Sequence, residues 1–262
     1  MKIAAGVEYC GSSYHGWQVQ NDVINSVQKT LEKAISLIAC HNIKIFCAGR
    51  TDSGVHSLGQ VIHFSTHTKR KSKVWLLGIN YYLPKDISIK WIKKVSNNFD
   101  ARFSACSRRY FYIIYNSFSR PAVFFNYYTH ISKNINIDIM NAACKYIIGE
   151  HDFSSFRSSS CQSKTSYRRI IHLFVVKKYK YIVIDIKANA FLHNMVRIIV
   201  GSLIKIGCGQ KTSFWMYELL TKKNRKLAGP TAPSKGLYFV SVHYPKNFNI
   251  PTNKIELNSL FF

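Results

Sequence analysis

Ile43-Lys44-Ile45-Phe46-Cys47-Ala48-Gly49-Arg50-Thr51-Asp52-Ser53-Gly54-Val55-His56-Ser57-Leu58-Gly59-Gln60-Val61-Ile62-His63-Phe64-Ser65 is the stretch on which the fold turns. Residues 43–48 and 60–65 are short, apolar and rich in β-branched side chains, and they read as strands. Between them, residues 49–56 carry neither a helical nor a strand period and are punctuated by glycine, so they form a polar loop. Upstream, Val27, Leu31, Ala34, Ile35 and Ile38 recur at helical spacing, and Asn25 with Gln28 resembles a capping box. Residues 2–8 read as a further strand that stops at the turn-like Cys10-Gly11-Ser12-Ser13, and Ile87, Ile89, Trp91, Lys93 and Val95 mark one face of another. Strands and a helix mixed over so short a span predict an α+β unit.

A second round follows. Residues 108–116 read as a strand with Arg108, Tyr110 and Tyr112 on one face and Arg109, Phe111 and Ile113 on the other. Asp138 is placed to cap a helix running through Ile148 and closed by Gly149. Residues 170–176 and 181–188 pair as a hairpin across Lys177-Lys178-Tyr179-Lys180, residues 191–206 form a strongly apolar helix, and residues 236–243 form a closing strand. The expectation is two α+β domains, residues 1–100 with the Asp52 loop and residues 101–262 with Tyr110 and Arg197. The tail from Asn247 is polar and ends in Leu260-Phe261-Phe262, to which no role attaches.

A chain of 262 residues that is 47% hydrophobic buries a real core and is not disordered. Lys and Arg number 37 against 12 Asp and Glu, a formal net charge of +25 that favours a polyanionic partner, nucleic acid ahead of an anionic membrane. The abundance of Lys, Ile, Asn, Tyr and Phe is also what an AT-biased genome produces, so charge alone leaves both origins open. The seven cysteines are scattered and contain no CxxC pair, which points away from a disulfide framework or zinc knuckle and toward reduced thiols in the cytoplasm. The most apolar run, residues 195–206, carries Arg197 and Lys205 and is too short to span a bilayer, so no membrane role is expected.

Asp52 is the first candidate for chemistry, a loop carboxylate beside Arg50 in a chain with few acids. The competing reading is an Asx-turn, in which the carboxylate holds its own backbone. Arg197 is the second. A helix apolar almost all round is buried, and a buried guanidinium requires an anion, for which Asp52 is a candidate; the pairing would keep the carboxylate ionised. Alternatively, Arg197 snorkels to the surface along its stem. Tyr110 is the third, in Arg108-Arg109-Tyr110-Phe111-Tyr112, where cations and aromatics interleave as on a surface that stacks bases and neutralises phosphates. Half of those rings must face a core. Further basic clusters, at Arg102, at Lys164 with Arg168 and Arg169, and at Lys222-Lys223 with Arg225, read singly as solvated faces. His63 and His67 lack a third ligand and read as structural, so no metal site is expected, and neither GxGxxG nor a P-loop indicates a nucleotide cofactor.

Cys47-Ala48-Gly49-Arg50-Thr51-Asp52-Ser53-Gly54-Val55-His56 resembles the signature loop of the bacterial tRNA pseudouridine synthase A family. Further blocks resemble the same family in the same order: Tyr14-His15-Gly16-Trp17-Gln18, Ala101-Arg102-Phe103-Ser104-Ala105, Arg108-Arg109-Tyr110, Gly149-Glu150-His151-Asp152-Phe153-Ser154-Ser155-Phe156-Arg157, Ala188-Asn189-Ala190-Phe191-Leu192-His193 with Met195-Val196-Arg197, and Ala228-Gly229-Pro230-Thr231-Ala232-Pro233. The resemblance implies two ferredoxin-like (RRM-like) α+β domains forming a continuous mixed, mainly antiparallel sheet with a catalytic cleft. It implies a homodimer that isomerises uridine to pseudouridine at positions 38, 39 and 40 of the tRNA anticodon stem-loop with no metal or organic cofactor. On that basis Asp52 would be the nucleophile, Arg50 would assist base flipping, Tyr110 would stack on the uracil and help move the C5 proton, and Arg197 would pair with Asp52. The stretch Phe99, Asp100, Ala101, Arg102, Phe103 and the loop Ser160, Cys161, Gln162, Ser163, Lys164 would contact the tRNA.

This sequence departs from the family pattern at Ser53 and Ser57, where alanine is common, and at Asp100, where histidine is usual; Asp100 puts a negative charge into an expected phosphate contact. Two competing functions remain at this level, a tRNA-binding or folding module without turnover and a synthase acting on another RNA. The joint presence of Asp52, Tyr110 and Arg197 argues against the first.

Overall fold

Short apolar runs, several of them buried on both faces, build most of the strands in a computed structural model that describes residues 1–19 and 25–252. In chain order the elements are β1 (Lys2–Tyr9), α1 (Val27–Ala39), β2 (Phe46–Cys47), β3 (His56–Ser65), α2 (Ser72–Tyr82), β4 (Ile87–Val95), β5 (Ser107–Asn116), β6 (Thr129–Ile131), α3 (Ile137–Cys144), β7 (Gly149–Asp152), β8 (Tyr167–Lys178), β9 (Tyr181–Ala188), α4 (Met195–Gly207), α5 (Trp215–Lys222) and β10 (Leu237–His243). The class is α+β with mainly antiparallel strands. The chain divides into Met1–Arg108 with the segment from Tyr238, and Arg109–Leu237. This differs from a single break after residue 100. β10 runs parallel to β3, Tyr238 opposite His56 and Phe239 opposite Ser57, so the closing strand returns to the first unit. The terminal Leu260-Phe261-Phe262 lies outside the described residues.

In the first unit the strand order is β4-β1-β3-β10, with β2 paired to β3. Ile3, Ala5 and Val7 of β1 and Ile62 and Phe64 of β3 pack with Val27, Leu31, Ala34 and Ile35 of α1 and with Trp75 and Ile79 of α2. Each large apolar side chain buried this way contributes about 1.5–3 kcal/mol. The cap of α1 is Ser26, whose Oγ accepts from the Lys29 N–H at 3.2 Å, while Asn25 turns away and donates to the Ser13 carbonyl at 2.7 Å. The strand expected over residues 43–48 shrinks to Phe46–Cys47. Its upstream N–H groups go to helix side chains instead of a sheet, Ile43 to Ser36 Oγ at 2.9 Å and Ile45 to Glu32 Oε1 at 3.1 Å.

In the second unit β5, β9, β8 and β7 lie in that order, with β6 parallel to β5. The β8–β9 hairpin closes with Lys178 opposite Tyr181, and Tyr179 takes the left-handed conformation at φ 54°. α3 is capped by Asn136, whose side chain accepts from Asp138 and Ile139 N–H, so Asp138 falls in the first turn. The helix ends at Cys144, and Gly149 opens β7 instead of closing α3. α4 starts at Met195 because Asn194, at φ 60°, breaks the helical path from residue 191.

Candidate active site

The Asp52 loop belongs to the first unit and is held on every side by backbone. Trp17 N–H donates to the Thr51 carbonyl at 3.0 Å, Gly54 N–H to the Tyr14 carbonyl at 3.4 Å, and Val55 N–H closes the turn onto the Asp52 carbonyl at 3.2 Å. Ser53 Oγ donates to the Tyr14 carbonyl at 3.1 Å, Gln60 Nε2 donates to the Gly49 carbonyl at 2.6 Å, and Tyr9 OH meets Thr51 Oγ1 at 2.7 Å. Gly16 makes the approach possible. It sits at φ +94°, and a Cβ there would lie 2.9 Å from the Thr51 carbonyl oxygen and 3.2 Å from the Asp52 carbonyl carbon. The block Tyr14-His15-Gly16-Trp17 is therefore the clamp of the loop, a role its sequence did not declare. Asp52 comes out half-buried and Arg50 exposed.

Residues 99–103 belong to the same unit and divide by exposure. Phe99 and Ala101 are fully buried, Phe99 against Tyr244 and Phe248, so these two side chains anchor the segment and do not face solvent. Arg102 and Phe103 are exposed, Phe103 by 80%, with the Arg102 guanidinium 5.3 Å from the Phe103 ring centroid. Asp100 turns inward. Its Oδ1 accepts from Arg102 N–H at 2.8 Å and Phe103 N–H at 2.9 Å, and Oδ2 lies 3.8 Å from His63 Nε2. Burial alone would raise its pKa, but those two N–H groups and His63 hold it below the ordinary carboxylate value. The charge of Asp100 is thus spent on its own turn. His63 Nδ1 accepts from Ala101 N–H at 3.0 Å, and His67 stacks on His41, so the two histidines part company. Arg108 brackets the segment to the Asp52 loop, donating to the carbonyls of Ala48 at 3.1 Å, Ala105 at 3.1 Å and Arg102.

Tyr110 and Arg197 are placed by the second unit. Tyr110, on β5, is 8% exposed, and its ring meets Phe191 edge-on at 5.0 Å. On the opposite face of the strand, Arg109 pairs with Asp185. Arg197, on α4, is half-buried; Nε donates to the Ala232 carbonyl at 2.7 Å and Nη1 to Asn194 Oδ1 at 2.9 Å. Its guanidinium is therefore fixed within its unit rather than extended along its stem into water. The block Ala228-Gly229-Pro230-Thr231-Ala232-Pro233 is a strap across α4: Gly229 N–H donates to Ser202 Oγ at 3.0 Å, and Ala232 N–H to the Arg197 carbonyl at 3.0 Å. Arg225 braces it through the Gly229 carbonyl at 3.0 Å and Thr231 Oγ1 at 3.1 Å, and Lys223 pairs with Asp152 at 3.2 Å, so that basic cluster is largely structural. In the loop Ser160 to Lys164, Gln162 and Lys164 are exposed, and Ser160 Oγ meets His193 Nδ1 at 3.0 Å. Cys161 Sγ accepts from His193 N–H at 3.4 Å. Burial pushes the Cys161 thiol up, but the N–H groups of His193 and Ser163 and the Arg157 charge outweigh it and hold the thiol below its ordinary value.

The first unit thus presents Asp52 on a clamped loop with Arg102 and Phe103 exposed, and the second holds Arg197 by Ala232 and Asn194. The family model described as tRNA pseudouridine synthase matches residues 5–104 and 143–245. The chain belongs to that family. tRNA pseudouridine synthase A of Aliivibrio salmonicida is 51% identical over 261 residues, spanning 100% of this chain and 98% of the relative. The enzyme of the same name from Buchnera aphidicola is 51% identical over 260 residues, 99% of this chain and 97% of the relative. That of Cronobacter sakazakii is 53% identical over 251 residues, 96% and 93%.

Proposed function

We propose that this protein isomerises uridine to pseudouridine in tRNA, at positions 38, 39 and 40 of the anticodon stem-loop, and that it works as a cytoplasmic homodimer. The observation that carries the reading is the Asp52 loop, clamped by Tyr14-His15-Gly16-Trp17 so that one carboxylate is presented half-buried. A base in a stem must leave its stack before its glycosidic bond is reached, at a cost of a few kcal/mol, and Arg50, exposed beside Asp52, is the side chain to occupy the vacated space. The N1–C1′ bond then breaks, the detached uracil turns while held, C5–C1′ forms, the C5 proton leaves and N1 gains one. Asp52 is the nucleophile or base, Tyr110 stacks on the uracil and helps move the C5 proton, and Arg197 supplies the counter-charge. These roles rest on the matched motifs. Arg102 with Phe103, and Gln162 with Lys164, offer the exposed cations, ring and amide for the tRNA backbone.

The test is pseudouridine mapping in tRNA from cells lacking this protein, complemented with wild type or Asp52→Asn. Pseudouridine should vanish at positions 38–40 and return with the wild type alone, while Asp52→Asn still binds tRNA to within about twofold, since it alters the reacting centre and not the phosphate contacts. Restoration by Asp52→Asn would end the catalytic assignment, and loss at other positions would move the activity to a different RNA site.

A further inference from the structure

Two arginines of the second unit lie under the loop Ser160 to Lys164, and among the described residues neither makes an ion pair with a carboxylate. Arg157 donates from Nη2 to the carbonyls of Cys161 at 2.9 Å and Ser163 at 2.8 Å, and from Nη1 to Ser166 Oγ at 3.3 Å. Arg168, at the start of β8, donates from Nη2 to Ser163 Oγ at 2.6 Å and from Nη1 to the carbonyls of Thr165 at 3.1 Å and Tyr167. Its Nε is buried with no hydrogen-bond partner. Two half-buried cations side by side, with carbonyl and hydroxyl dipoles and the Cys161 thiol but no carboxylate for company, are costly to fold, so the arrangement calls for a purpose.

That purpose is directional. A carbonyl oxygen carries partial negative charge and repels a phosphate. Two loop carbonyls, those of Cys161 and Ser163, and that of Thr165 just after it are turned onto guanidinium groups. The exposed residues of the loop are Ser160, Gln162 and Lys164. Beneath the loop lies positive charge that, among the described residues, no carboxylate pairs with, in a medium where such charge reaches further than in water. The other edge is fixed by His193, through Ser158 N–H to its carbonyl at 3.2 Å and Ser160 Oγ to its ring.

We propose that Arg157 and Arg168 are positioning residues for substrate binding: they hold the loop's acceptors inward so that it presents donors and net positive potential to the phosphodiester backbone of an RNA. The inference rests on the reading of residues 160–164 as an RNA contact. Arg157→Lys keeps the charge but cannot fork two carbonyls, and Lys164→Ala tests the contact itself. In the full-length protein, Arg157→Lys should speed amide exchange across residues 158–166 and raise both Kd and KM for tRNA about tenfold, the loss expected for one charge-assisted bond, with kcat changed less than threefold. A merely structural role would lower kcat and thermal stability without that split. Wild-type affinity, or unchanged exchange in the loop, would overturn the proposal. If Arg157→Lys does not fold, Arg168→Lys carries the same test through Ser163 and Thr165. If Lys164→Ala weakens binding and the arginine variants do not, the loop reading stands and the positioning role falls. If Lys164→Ala also binds as wild type, the loop reading falls and the proposal with it.

Discussion

Asp185 on β9 is fully buried, with Arg109 Nε at 2.9 Å and His172 Nε2 at 2.8 Å from its Oδ1. Burial alone would raise its pKa, but the bonds from Arg109 and His172 together hold it below the ordinary carboxylate value. A folded value below the unfolded one means that the carboxylate adds stability above about pH 4, and that the contribution is lost as pH falls through the folded value. Asp185→Asn should therefore cost about 3 kcal/mol at neutral pH, because it removes the charge that Arg109 and His172 face, and the cost should shrink in acid as the wild-type carboxylate takes up its proton below its ordinary value. Urea midpoints across an acid-to-neutral pH series check this, and a gap independent of pH would assign the effect to packing. At this scale the sequence was legible where chemistry restricts the residue type. Asp52 and Arg197 stood out because acids are scarce and a cation in an apolar helix needs a partner. Phe99 and Ala101 did not separate from Arg102 and Phe103, since a motif spans a segment and only the turn made by Asp100 decides which side chains point inward.

Among the elements, α4 and the strap over it meet at Gly201, where a Cβ would come within 1.8 Å of the Pro230 carbonyl oxygen. The obstacle is backbone, which cannot rotate aside, so Gly201→Ala must lift the strap that carries Ala232, the acceptor of Arg197 Nε. The expected cost is about 1–3 kcal/mol of stability from overpacking. Turnover should fall at least tenfold, because a displacement near 1 Å at a reacting group is worth about a hundredfold. tRNA affinity should change far less. Single-turnover rates at saturating enzyme separate the two, and an Ala variant with wild-type turnover would release Arg197 from its role. Most strands were readable as short apolar runs, but residues 43–48 misled. Ile43 and Ile45 alternate like a strand yet give their N–H groups to Ser36 and Glu32, side chains that no local pattern reveals. α2 escaped because Val74, Leu77 and Tyr81 lie on its exposed face and blur the apolar stripe.

For the whole molecule, +25 of formal charge on 262 residues has to be matched against the ions it displaces. Each phosphate neutralised releases counterions, so the logarithm of tRNA affinity should fall linearly with that of salt, with a slope of about −0.7 to −0.9 per contact. Filter binding between low and physiological salt should show a loss of at least tenfold. A flat response would mean that the lysines reflect genome composition and not binding. The α+β class was legible from the mixture of periods alone, but the return of β10 to β3 was not, because parallel pairing of strands so distant in sequence leaves no local mark.

That return sets a schedule for biosynthesis. A ribosome delivers Asp52, Tyr110 and Arg197, and has read past Ala232, before it makes Tyr238 and Phe239, which seat against His56 and Ser57 at the base of the Asp52 loop. Until then the His56–Ser57 end of that side of β3 lacks its neighbouring strand, while β2 covers the Ile62–His63 end; an uncovered stretch of edge is of the kind chaperones and proteases recognise. A message broken just short of Leu237 would encode Asp52, Tyr110 and Arg197 and still yield a protein destined for degradation.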